Sequence, residues 1–106
     1  MSYDKQSGLY YGYIYCIENN VTGKKYIGQT SASVDYRWKQ HKNAKGYRSS
    51  KSIYLYKSMN KYGIDKFTIT TICSISSETA TGLKQKLNLL EKEYIERHVF
   101  QKWYIY

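Results

Sequence analysis

The sequence predicts an α+β domain: a small three-stranded antiparallel sheet flanked by helices, in the order β-β-α-α-β-α. Three observations carry this. Two tyrosine- and isoleucine-rich runs, GYIYCI and KKYIG, flank the turn-forming segment ENNVTG. A third run, FTITTICSI, is β-branched and alternating. Segments with helical spacing of apolar residues lie before and after that run.

Leu9 to Ile17 reads as the first strand. Asn19, Asn20 and Gly23 supply turn chemistry, and Lys24 to Gly28 reads as the second strand of a hairpin. Alternation puts Tyr13, Tyr15 and Ile17 on one face and Ile14 and Cys16 on the other. The face taken by Tyr26 depends on register. Ser31 and Ser33 are candidate caps for a helix from about Val34 to Lys45, with Asp35 in its first turn. Gly46 to Ser52 is a polar loop, and Ile53 to Tyr62 a short helix closed by Gly63. Phe67 to Ile75 is the third strand. Thr79 to His98 is a long helix in which Leu83, Leu87, Leu90 and Tyr94 recur at helical spacing.

A chain of 106 residues with 42% hydrophobic and 24% charged content suits one domain with one modest core. There is no internal repeat and no low-complexity linker. No apolar run approaches the roughly 18 residues of a membrane span. The N-terminal MSYDKQSGLYYG lacks a signal-peptide pattern, which predicts an intracellular, cytoplasmic protein. Cys16 and Cys73 fall in strand-like runs and read as small buried side chains rather than a disulfide or zinc site. The net charge is +9, and from Tyr36 to Ile64 eight basic residues stand without one acidic residue. Such a block favours a polyanion. Six phosphate contacts would give a log–log salt slope of about −5.

Helical wheels single out polar residues that face the wrong way. With Leu87 at zero, the apolar arc of the last helix runs from Leu90 at about 300° to Ile95 at about 80°, and Glu91 falls inside it at about 40°. A carboxylate there needs a partner: a metal, an arginine or a lysine. In the first helix Arg37 and His41 share the side of Val34, Trp38 and Ala44. The bland readings are a helix-edge salt bridge for Glu91 and a hydrogen-bonded core histidine for His41. Together with the tyrosines, however, these groups suit phosphate chemistry. Arginine neutralises phosphate oxygens, a carboxylate holds a divalent cation, and His or Tyr moves protons.

The segments YIY at 13–15, YIG at 26–28, RWKQH at 37–41, SMNKYG ending at Gly63, and LEKEYI at 90–95 resemble, in order and spacing, the GIY-YIG nuclease superfamily. The resemblance covers nearly the whole chain from about Tyr10. That superfamily includes phage intron homing endonucleases, some restriction enzymes and the nuclease half of bacterial excision repair. The resemblance implies a Mg²⁺-dependent endodeoxyribonuclease, with Mn²⁺ as a substitute, bacterial or phage-encoded. Its implied catalytic residues are Tyr15, Tyr26, Arg37, His41 and Glu91, with Glu91 the metal ligand and Arg37 on the phosphate. Tyr26, beside Lys24 and Lys25 in sequence, is the first choice as general base, Tyr15 the second, and His41 a relay. A free tyrosine phenolate at pH 7 costs roughly 4 kcal/mol, so the base needs cationic help. Lys24, Lys25, Arg48, Lys51, Lys57 and Lys61 are the candidate DNA contacts. The implied partner is DNA, engaged with the help of a separate recognition domain or protein; no membrane is implied.

The chain departs from the family pattern in two places. Tyr13 stands where the first motif has glycine, with Gly12 one residue earlier. A polar residue between the middle helices could be Ser50 or Lys51. The rival reading is a non-catalytic nucleic-acid-binding module of the same fold. The four intact motif residues Tyr26, Arg37, His41 and Glu91 count against it.

Overall fold

The computed structural model describes residues 2–43 and 53–100. Its centre is the long strand β2 (Leu9–Asn19). β4 (Phe67–Ser77) pairs antiparallel along it from Tyr10 to Asn19. Its other edge is shared by β3 (Lys25–Thr30), opposite 13–18, and a short β1 (Ser2–Asp4), opposite 9–11.

The sheet therefore has four strands, not three. The added strand comes from the N-terminal turn. Asp4 accepts from Gln6 N and Ser7 Oγ, and Gly8, at φ 72°, donates its N–H to the Asp4 carbonyl. A strand of three residues is too short for a period-2 pattern to show. The other elements match the expected order. α1 spans Val34–Asn43, α2 Ile53–Tyr62 and α3 Ala80–Phe100, with a 3₁₀ turn at Ile64–Lys66. The expected end of the first helix at Lys45 lies outside the described residues. Gly63 closes α2 at φ 92°, donating to the Met59 carbonyl.

The two faces of the sheet carry separate apolar clusters. Tyr15 and Ile17 pack with Leu55, Tyr56 and Met59 of α2 and with Phe67, and Val34 and Trp38 of α1 border them. On the other face Ile14 and Ile27 pack with Leu83 and Leu87 of α3. The alternation expected for β2 holds, and the chain order gives one helical layer on each side of the sheet. An extra residue in β4, between Thr71 opposite Tyr15 and Cys73 opposite Ile14, makes a bulge at Ile72. Cys16 and Cys73 are free thiols and half-buried rather than fully buried.

The hairpin turn is tied to α2 by one side chain. Asn19, fully buried, accepts from Val21 N and Thr22 N and donates to Ser58 Oγ. Gly23 follows at φ 79°, where residues with a Cβ are strained.

Candidate active site at the edge of strand β3

Register settles the question left open by the sequence. Ile17 lies opposite Tyr26 and Tyr15 opposite Gly28, so both tyrosines are on the face covered by α1 and α2. Their ring centroids are 6.4 Å apart. Gly28 is required by this arrangement. A Cβ there would stand 2.5 Å from Cζ and Oη of Tyr15. The glycine of the YIG motif thus leaves room for the tyrosine of YIY to lie across it.

His41 descends from α1 into this cluster and is fully buried. Tyr15 Oη lies 2.7 Å from its Nε2, and Tyr56 Oη lies 2.9 Å from its Nδ1. Tyr26 presents its ring edge-on, with centroids 5.6 Å apart. Burial, and secondarily the Arg37 charge, lowers the His41 pKa from 6.5 to about 4, so the ring is neutral at pH 7. Tyr15 is pushed above the ordinary tyrosine range, chiefly by burial and then by the neighbouring Tyr26 phenol, while Arg37 opposes the shift. The core-histidine reading of His41 is right as far as packing goes. The groups it bonds are what connect it to the cleft.

That cleft, about 690 Å³, wraps around the edge of β3. Tyr15, Tyr26 and Arg37 line it from the α1 side, and Asn88 and Glu91 of α3 line it from the other face. Strand alternation explains how β3 serves both sides. Tyr26 and Gly28 point toward α1, while Gln29, opposite Ile14, points toward α3. Gln29 Nε2 donates to Glu91 Oε2 at 2.6 Å and to Asn88 Oδ1 at 2.7 Å. Glu91 is half-buried on the packed side of α3, as its wheel position implies, and it accepts from the Gln29 amide, which is not among the partners expected of it, a metal, an arginine or a lysine. Arg37 is half-buried and donates from Nη1 to Gln40 Oε1 at 3.1 Å.

Among the described residues no three His, Cys, Asp or Glu side chains converge as a metal cage. The cleft still fits a small hard cation. Mg²⁺ keeps most of its waters and is commonly held by one or two carboxylates plus substrate phosphate. Glu91 supplies one carboxylate whose Oε2 is anchored by Gln29, and the polar cleft has room for water and a phosphate.

The basic residues are distributed differently from expectation. Lys25 follows the alternation to the α3 face, opposite Glu18, and its Nζ lies 3.1 Å from the Glu18 carboxylate. It is next to Tyr26 in the chain, but strand alternation turns the two side chains to opposite faces of the sheet. Lys24 is exposed just before β3. Lys57 and Lys61 are exposed on α2, with Lys61 over the Tyr62 ring at 5.3 Å from its centroid. Arg48, Ser50 and Lys51 lie outside the described residues. The structure adds cleft residues that the sequence did not single out: Gln29, Tyr36, Gln40, Lys84 and Asn88. Of these, Asn88 and Lys84 were findable, because they stand three and seven residues before Glu91 on one side of the helix.

The family model for the GIY-YIG catalytic domain matches residues 11–104. Two proteins of Invertebrate iridescent virus 6 are similar to the chain. MSV199 domain-containing protein 146R is 35% identical over 85 residues, covering 80% of this chain and 32% of that protein. Uncharacterized protein 019R is 33% identical over 84 residues, covering 79% and 28%. The chain thus spans about a third of the length of these curated relatives. Among solved structures, the catalytic domain of homing endonuclease I-TevI superposes with a TM-score of 0.58 at 27% identity, covering 77% of this chain and 86% of that one.

Proposed function

The chain belongs to the GIY-YIG catalytic-domain family, and on that premise we propose that it hydrolyses DNA phosphodiester bonds inside the cell, using a divalent cation held by Glu91. Magnesium is the preferred ion and manganese a substitute. The observation that carries this is the cleft at the β3 edge. It gathers Arg37, Tyr15 and Tyr26 from one face of the sheet and Glu91 from the other.

A cation bound at Glu91 would supply Lewis-acid stabilisation of the scissile phosphate. Arg37 binds the phosphate oxygens and offsets charge developing on them. Tyr26 takes the proton of the attacking water. It borders the cleft and is half-buried, whereas Tyr15 is fully buried, engaged with His41, and harder to ionise than an ordinary tyrosine. The cationic help that a Tyr26 phenolate needs would come from Arg37 and from a cation held by Glu91, with Lys25 turned to the other face of the sheet. Tyr15 and His41 form the floor that holds these groups in register.

Contacts from Lys24, Lys57 and Lys61 on the surface, and from Arg48 and Lys51, would add salt-sensitive affinity for DNA without sequence preference. Target choice belongs to a further domain or partner protein. No described helix is long and apolar enough to cross a membrane.

The test is nicking of supercoiled plasmid with and without Mg²⁺. Wild-type protein should nick only with the metal, and Arg37→Ala should be slower by at least about a hundredfold. DNA binding with no nicking at any metal concentration would make the domain a binding module instead.

A further inference from the structure

The hydrogen-bond chain Tyr15–His41–Tyr56 continues past the residues so far given roles. Tyr56 lies on α2, and its hydroxyl meets His41 Nδ1 at 2.9 Å, away from the cleft. Neutral imidazole carries one N–H and one lone pair, while each phenol can donate or accept. The chain can therefore run in either direction. Its direction decides whether Tyr15 turns its hydrogen or its lone pairs toward the cleft.

Two features select one direction. Tyr15 is 0% exposed, so its hydrogen has no route to solvent and must be accepted within the protein. Its hydroxyl lies 2.7 Å from His41 Nε2. The Arg37 guanidinium lines the same cleft as Tyr15 and acts on its hydroxyl as a hydrogen-bonding cation. Guanidinium is a cation with donors only, which favours oxygen lone pairs facing it and the O–H turned away. Both features aim the Tyr15 hydrogen at Nε2, which must then be the bare nitrogen. The proton of His41 is left on Nδ1, where the Tyr56 oxygen can accept it. Tyr56 keeps 5% exposure and is not fully sealed, unlike Tyr15.

We propose that Tyr56 is a positioning residue: it holds His41 in the Nδ1–H tautomer, so that Tyr15 donates to Nε2 and presents its oxygen lone pairs to Arg37. The inference rests on the nuclease reading only for its effect on rate. The tautomer itself is independent of activity. Without the Tyr56 oxygen, Nδ1–H has no described acceptor and the chain is free to reverse. A reversed chain aims the Tyr15 hydrogen toward a cation, and the guanidinium loses its anchor beside the phosphate.

The experiment is two-bond ¹H–¹⁵N correlation on uniformly ¹⁵N-labelled protein at pH 7, with His41 assigned by its absence in His41→Asn. The wild type should show a protonated Nδ1 and a bare Nε2. Tyr56→Phe should shift the population toward Nε2–H, retain a wild-type circular dichroism spectrum, and slow nicking about tenfold in kcat with little change in KM. A wild-type Nε2–H tautomer overturns the proposal without need of any variant. So does a Tyr56→Phe protein that keeps the pure Nδ1–H form. If the wild type shows Nδ1–H and does not nick DNA, the tautomer assignment stands and the nuclease reading falls.

Discussion

Replacing Gly28 with alanine tests whether backbone bareness in the YIG motif exists for Tyr15. The added Cβ would stand 2.5 Å from Tyr15 Cζ and Oη and 2.9 Å from Cε2, closer than carbon atoms approach. The ring would have to retreat by about 1 Å to reach ordinary contact. Tyr15 is fully buried and packed with Ile17, Leu55 and Met59, so a retreat disturbs those contacts. Overpacking of this kind costs about 1–3 kcal/mol. A shift of that size also lengthens the 2.7 Å bond to His41 past useful range, leaving a buried polar atom unpaired at about 1–3 kcal/mol more. For a domain near this size each kcal/mol moves Tm by about 4–8 °C, so Gly28→Ala should melt at least about 8 °C below wild type. Gly12→Ala is the control. Its Cβ would meet the terminal methyls of Leu87 at 2.8 and 3.2 Å and the Thr30 carbonyl oxygen at 3.2 Å; the sub-3 Å contact is with the end of a flexible side chain, so the loss should be smaller. The assay is thermal denaturation followed by circular dichroism, with nicking measured on the same preparations. A Gly28→Ala protein that melts within about 2 °C of wild type and keeps full activity would refute the argument.

Two further outcomes follow from named contacts. Gln29→Ala should weaken Mg²⁺ binding about 10- to 100-fold by titration calorimetry, since Glu91 loses the amide that orients it, while melting changes little. Stability should also fall on acidification. The unfolded chain binds a proton at His41 below about pH 6.5, but the folded chain holds it neutral down to about 4, so protons favour unfolding across that window. The loss should be roughly 3 kcal/mol between pH 7 and 4. Urea titrations of wild type and His41→Gln should differ in slope there, and parallel profiles would show that His41 is not the group responsible.

Elements with strong local signals are legible in the sequence. Ile53 to Tyr62 carries a Gly63 cap and shows as a helix with those same limits. The wheel positions of Arg37, His41 and Glu91 correctly marked them as turned inward from polar surroundings. What could not be read depends on pairing across the chain. The common face of Tyr15 and Tyr26 follows from Ile17 standing opposite Tyr26, a register no local pattern encodes. Glu91 needed a partner, but Gln29 sits 62 residues away on another element, and an amide is a weaker signal than a charge. Lys25 shows another limit of local reading. Sequence adjacency placed it with Tyr26, whereas alternation along a strand sends neighbours to opposite faces. Tyr56 was hidden among 14 tyrosines and became visible only through the nitrogen it meets.

The measurement that bears most directly on the nuclease assignment is single-turnover nicking of supercoiled plasmid across a Mg²⁺ titration, for wild type and Glu91→Gln. Glutamine keeps the size of the side chain and an oxygen for Gln29 to bind, so the cleft should survive while the carboxylate charge is removed. Wild type should nick in a metal-dependent way, and Glu91→Gln should lose at least about a thousandfold in rate with an unchanged melting temperature. Wild-type rates in Glu91→Gln, or nicking by wild type that is indifferent to chelation, would contradict this expectation.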